Sequence, residues 1–132
     1  MYKLVRHAAS AALAGAALLC AACSPLTLTE RDNGRLVRVS PGSRIQVQLD
    51  YNPSTGYIWE LGFADPAMIR QGEISQIQPA PHNPPIVGAP VTSVMNFQAV
   101  GRGHSALKLV NHRPWEKDTP PAQTFAVDVS VE

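Results

Sequence analysis

The segment Thr124 to Val131 sets Phe125, Val127, Val129 and Val131 on one face and Thr124, Asp128 and Ser130 on the other. A repeat of two is the pleat of a β-strand with one side buried, and a helix cannot satisfy it, because helical faces recur every three to four residues. Ile45, Val47 and Leu49 alternate in the same way with Arg44, Gln46 and Gln48, and Tyr57, Trp59 and Leu61 repeat the pattern. Leu36 to Val39 is a short β-branched run that ends before the turn signal Pro41-Gly42. Thr92 to Val100 and His104 to Asn111 are two further strands, joined by Gly101-Arg102-Gly103, which reads as a hairpin-like turn. Ile74 and Ile77 are out of phase for one strand and make a weak segment, while Asp65 to Gln71 has room for one helical turn, limited by Gly62 and Pro66. No stretch has the spacing of an amphipathic helix and nothing repeats internally, so solenoids and propellers are unsupported. The prediction is an all-β fold, an immunoglobulin-like antiparallel β-sandwich of about 7–8 strands.

The first residues follow a different logic. Lys3 and Arg6 precede the apolar run Ala8 to Ala22 with no acidic residue between them, which is the charge and length pattern of an export signal. The only cysteines, Cys20 and Cys23, lie at its end, so no disulfide is expected within the domain that follows. Leu18-Leu19-Cys20-Ala21-Ala22-Cys23-Ser24 resembles a bacterial lipobox, with small residues before Cys23 and Cys20 where leucine is usual. That resemblance implies cleavage after residue 22, lipidation at Cys23 and attachment to the bacterial cell envelope, with Ser24 favouring the outer membrane; ordinary cleavage to a soluble periplasmic protein is the alternative. Residues 1–22 are thus assigned to the signal, 23–35 to the lipidated cysteine and a tether, and 36–132 to one domain. Beyond the signal no apolar run approaches the ~20 residues a membrane span requires.

Two loops concentrate unusual chemistry. In Asn52-Pro53-Ser54-Thr55-Gly56-Tyr57, Asn and Ser favour local side-chain-to-backbone bonds, Pro53 restricts φ and Gly56 permits positive φ, so the loop is tight and pre-shaped. A hairpin without further function accounts for this composition as well as a binding loop does. Arg113-Pro114-Trp115-Glu116 sets a guanidinium and an indole at a rigid bend, the residue types that dominate binding hot spots. The competing reading has Trp115 covering the end of the core with Arg113 stacked on it. A third stretch, Pro79 to Pro90, carries Pro79, Pro81, Pro84, Pro85 and Pro90 and one glycine, Gly88, and cannot be a ladder strand because proline has no amide hydrogen.

Taken together, Asn52 to Tyr57 with Trp59, the run Gly101 to Arg113 leading into Arg113-Pro114-Trp115, and the closing Phe125-Ala126-Val127 strand resemble the chagasin family of cysteine-protease inhibitors over about residues 35 to 132. The resemblance implies a reversible, competitive inhibitor whose three loops at one end of an immunoglobulin-like sandwich form a wedge for the cleft of papain-like proteases. It implies that Asn52, Pro53, Ser54, Thr55, Gly56 and Tyr57 form the central loop, with Thr55 and Gly56 nearest the catalytic residues, and that Arg113, Pro114 and Trp115 form one flank. The family's third loop has paired glycines; here Gly88 is followed by Ala89-Pro90.

Catalysis by the chain itself lacks a motif. His82, His104 and His112 sit in no nucleophile or zinc pattern, His104 reads as a solvated loop residue after a turn, and Glu60 and Glu116 read as surface carboxylates. The expectation is a monomer that is not an enzyme, with no cofactor and no metal. The balance of 11 Lys and Arg against 10 Asp and Glu gives no electrostatic reason for a nucleic-acid partner. The rival function is an envelope-anchored binding or structural module without inhibition, which has no need to expose the Asn52 to Tyr57 loop beside Trp115.

Overall fold

A computed structural model describes residues 24–79, 81, 84 and 88–132. The export signal, the lipobox with Cys20 and Cys23, and His82 lie outside the described residues. Eight strands run in chain order: β1 (Leu26–Leu28), β2 (Leu36–Val39), β3 (Arg44–Tyr51), β4 (Ile58–Phe63), β5 (Ile69–Ile77), β6 (Val91–Ala99), β7 (Gly103–His112) and β8 (Gln123–Val131). They form two four-stranded sheets, one in the order β1-β3-β6-β5 and the other β2-β8-β7-β4.

The sequence alternation is what packs these sheets. Ile45, Val47 and Leu49 from β3 with Met95 and Phe97 from β6 line one inner face, and Leu107, Leu109, Phe125, Val127 and Val129 line the other, all buried. Burying each such side chain contributes about 1.5–3 kcal/mol. Trp59 joins this core and satisfies its indole N–H by donating to the Asp50 carbonyl at 3.1 Å.

The structure corrects several expectations. The segment read as a tether is built into the fold: β1 pairs in parallel with β3, and Leu28 is buried. The following turn, Glu30–Asp32, is closed by Asp32 accepting from the Thr29 amide at 2.9 Å, and Asn33 and Gly34 bond the backbone of Ala126 in the second sheet. A run with few apolar residues is thus ordered by backbone pairing, which leaves little trace in a hydropathy pattern. β2 also pairs in parallel, with β8, while the other pairings are antiparallel.

Gly101 to Gly103 is not a hairpin turn, since β6 and β7 belong to different sheets and the segment crosses between them. A Cβ on Gly101 would run into the Ala67 carbonyl, so the crossing depends on glycine there. The weak Ile74 to Ile77 segment is the end of the nine-residue β5. A bulge sets Gly72 and Glu73 opposite Asn96 alone, which shifts the phase of Ile74 and Ile77 relative to Ile69. The helical turn expected from Asp65 stops at Met68, where β5 takes over. His104 lies on β7 rather than in a loop, and its side chain is exposed.

Register fixes which loops share an end. Tyr51 at the end of β3 is opposite Val91 at the start of β6, and Ile77 at the end of β5 is opposite Thr92. In the second sheet Ile58 at the start of β4 faces His112 at the end of β7, and Asn111 faces Gln123 at the start of β8. The β3–β4, β5–β6 and β7–β8 connections therefore emerge together.

Candidate functional site

The β3–β4 connection joins strands of different sheets, which excludes the hairpin reading of Asn52 to Tyr57. Pro53–Thr55 forms one turn of 3-10 helix with Asn52 as its cap. Oδ1 of Asn52 accepts from the Ser54 amide at 3.1 Å and from the Ser54 hydroxyl at 2.6 Å. The Asn52 carbonyl accepts from the Thr55 amide at 3.2 Å and from the Thr55 hydroxyl at 2.6 Å, and the Pro53 carbonyl accepts from the Gly56 amide at 3.1 Å. Gly56 closes the turn at φ +83°, the left-handed conformation that its sequence position predicted. The loop is pre-shaped by its own bonds, yet Pro53, Ser54 and Thr55 are exposed at its tip.

Arg113 to Glu116 forms a second turn, in which the Glu116 amide donates to the Arg113 carbonyl at 3.0 Å with Pro114 in the position that restricts φ. Arg113 reaches across to the first loop: its Nε donates to the Thr55 carbonyl at 2.9 Å and its guanidinium carbon stands 4.5 Å from the centre of the Tyr57 ring. Nη1 of Arg113 donates to Oε1 of Glu116 at 3.0 Å, and this bond is the main cause raising the guanidinium pKa above its ordinary value. Arg113 therefore carries its charge over the whole working range of pH.

Trp115 is 66% exposed, so it does not cover the core, and Arg113 stacks on Tyr57 instead of on the indole. The edge of the indole lies over Gly56, where a Cβ would collide with Cη2 and come within 3.1 Å of Cζ2. Glycine at 56 thus meets two demands at once, positive φ and room for the ring. From the third connection, Gly88 has φ +79°, and a Cβ there would stand 3.7 Å from Nδ2 of Asn52. The structure thereby gathers Asn52 to Tyr57, Gly88 and Arg113 to Trp115 at one end of the sandwich.

Two features escaped the sequence reading. By its type and position Glu116 is a surface carboxylate, although its spacing of three from Arg113 across Pro114 is the signal for a turn-closing ion pair. Glu60 on β4 pairs with His112 on β7, Oε2 to Nε2 at 2.6 Å, a contact made by strand register between residues far apart in the chain. Among the described residues no group of three or more His, Cys, Asp or Glu side chains is placed to hold a metal ion.

Comparison with known proteins agrees with this architecture. The family model described as Chagasin family peptidase inhibitor I42 matches residues 38–129. Amoebiasin-2 of Entamoeba histolytica is 30% identical over 105 residues, spanning 79% of this chain and 83% of that protein. The crystal structure of the cysteine protease inhibitor EhICP2 from Entamoeba histolytica superposes with a TM-score of 0.71 at 27% identity, covering 81% of this chain and 95% of that one. Leishmania mexicana ICP is similar at a TM-score of 0.57 and 26% identity, over 76% of this chain and 90% of its own.

Proposed function

The chain belongs to the chagasin family of peptidase inhibitors, and we propose that its three-loop end enters the cleft of papain-like proteases and inhibits them reversibly and competitively. As a member of that family it is a cysteine-protease inhibitor, not an enzyme. Asn52 to Tyr57 is the central loop of the proposed wedge, with Arg113, Pro114 and Trp115 on one flank and Gly88 on the other.

The observation that carries this reading is the exposure of Trp115 beside an exposed turn in which the Asn52, Pro53 and Thr55 carbonyls are bonded within the domain. A papain-type cleft accepts extended chain and attacks a carbonyl presented in the right geometry. A turn held in this shape by its own bonds occupies the cleft with its Asn52, Pro53 and Thr55 carbonyls directed into the domain rather than set out along an extended chain for attack. Its rigidity lowers the ordering cost of association, and an exposed indole supplies the large flat contact typical of an anchor. A structural module has no use for an exposed indole against an exposed turn.

Titration of papain with the purified protein tests this. Activity falls in proportion to added inhibitor and returns as substrate concentration is raised, while chymotrypsin is unaffected. Papain activity that stays constant, or a chain cut between Asn52 and Tyr57 as the main product, refutes it.

The sequence before the described residues supports a second part of the proposal, that Cys23 carries lipid and holds the inhibitor at the cell envelope. Two or more acyl chains suffice for stable attachment.

A further inference from the structure

Building on the loop-end reading, on which it rests, we infer that Glu116 is a positioning residue for inhibition: through Arg113 it keeps the Thr55 carbonyl turned toward the domain, so that a bound protease cannot cut the Thr55–Gly56 bond. The Arg113–Glu116 turn brings Oε1 of Glu116 to 3.0 Å from Nη1 of Arg113. With that corner tied and the guanidinium face over Tyr57, Nε is left aimed at the Thr55 oxygen, 2.9 Å away. A planar group held at three places has one orientation available, and the carbonyl it bonds shares that constraint.

Cleavage of this bond has a definite geometric requirement. The protease thiolate adds to the Thr55 carbonyl carbon and the C=O electron pair moves onto oxygen, which must meet the protease's oxyanion donors. Collapse then breaks the C–N bond, the Gly56 nitrogen leaves with the proton of the catalytic imidazolium, and water hydrolyses the thioester to return the thiolate. The Thr55 oxygen is held toward Arg113 on the flanking loop, and turning it to face those donors distorts or breaks that bond. The Asn52 and Pro53 carbonyls are held by bonds within the turn, and Arg113 adds the same restraint to the Thr55 carbonyl from the flanking loop. Without Glu116 the half-exposed Arg113 side chain regains rotamer freedom and releases the carbonyl.

The test incubates papain with equimolar protein over an extended time and follows intact mass together with the dissociation rate and the melting temperature. The parent stays intact. Glu116→Ala is cut between Asn52 and Tyr57 roughly tenfold faster or more, the loss expected for about one charge-assisted hydrogen bond. Glu116→Gln keeps an acceptor oxygen at the same reach and restores resistance, whereas Arg113→Lys keeps the charge, loses the fork and is cut like Glu116→Ala. Melting temperatures stay near the parent's, because these side chains lie outside the core. A Glu116→Ala protein that stays intact with the parent's dissociation rate, or a Glu116→Gln protein cut as fast as Glu116→Ala, overturns the inference alone. A parent that fails to inhibit papain overturns the loop-end reading and this inference with it.

Discussion

Gly56→Ala separates the inhibitory surface from the fold. Adding one methyl at φ +83° places an L-residue in the left-handed region, at about 1–2 kcal/mol. The same methyl collides with the Trp115 indole, which is exposed and can swing away without disturbing the core. Displacing an anchoring aromatic costs about 2 kcal/mol of binding. If the loop relaxes to shed its strain, association must restore it, and the two terms reach about 3–4 kcal/mol, a loss of affinity of roughly 150- to 900-fold. Stability falls by no more than the strain, a drop of about 4–16 °C in melting temperature for a domain near 100 residues. Gly42→Ala is the control: Gly42 has φ +87° with nothing within 4 Å of a Cβ, and it lies before β3, at the opposite end of the sandwich. Competitive inhibition constants against papain, measured beside thermal melts, decide the matter. Both variants melt lower and only Gly56→Ala loses inhibition. Equal inhibition by Gly56→Ala and the parent, or equal loss in both variants, refutes the argument.

Trp115→Ala leaves the melt unchanged, because the indole is exposed, and weakens papain inhibition about thirtyfold; unfolding on this substitution would return Trp115 to the core. Thr55→Val keeps the shape and removes the hydroxyl that donates to the Asn52 carbonyl, so the inhibition constant rises by about three- to tenfold, roughly one hydrogen bond's worth. Phe97→Ala opens a cavity between the sheets and lowers stability by about 3–5 kcal/mol in denaturant melts, with binding lost only in proportion to unfolding. Cys23→Ala shifts the protein from membrane to soluble fractions while Cys20→Ala does not, and the opposite pattern moves the lipidation site.

Much of the site's local shape was readable from neighbouring residues. Asn52, Pro53 and Gly56 act within a few positions of one another, so their turn chemistry is local and the left-handed Gly56 could be inferred. The side chain that braces the turn could not, since Arg113 lies 58 residues from Thr55 and reaches it through the pairing of β4 with β7. The choice between Trp115 as core and Trp115 as anchor was open for the same reason. Composition says that an indole needs a surface to cover, and only packing says which one.

Period-two alternation determined the class of fold and about half of the core, because the pleat makes burial a property of each strand by itself. Ile45, Val47, Leu49, Leu107, Leu109, Phe125, Val127 and Val129 could be assigned from that pattern, and all are buried. Strand neighbours are not a local property. The parallel pairing of Leu26–Leu28, the passage of Gly101 to Gly103 between sheets and the bulge in β5 depend on backbone hydrogen bonds between distant segments, which carry no side-chain signature. Those same long-range registers bring Gly88, Thr55 and Arg113 to one end, so the site exists only once both sheets have closed on their common core.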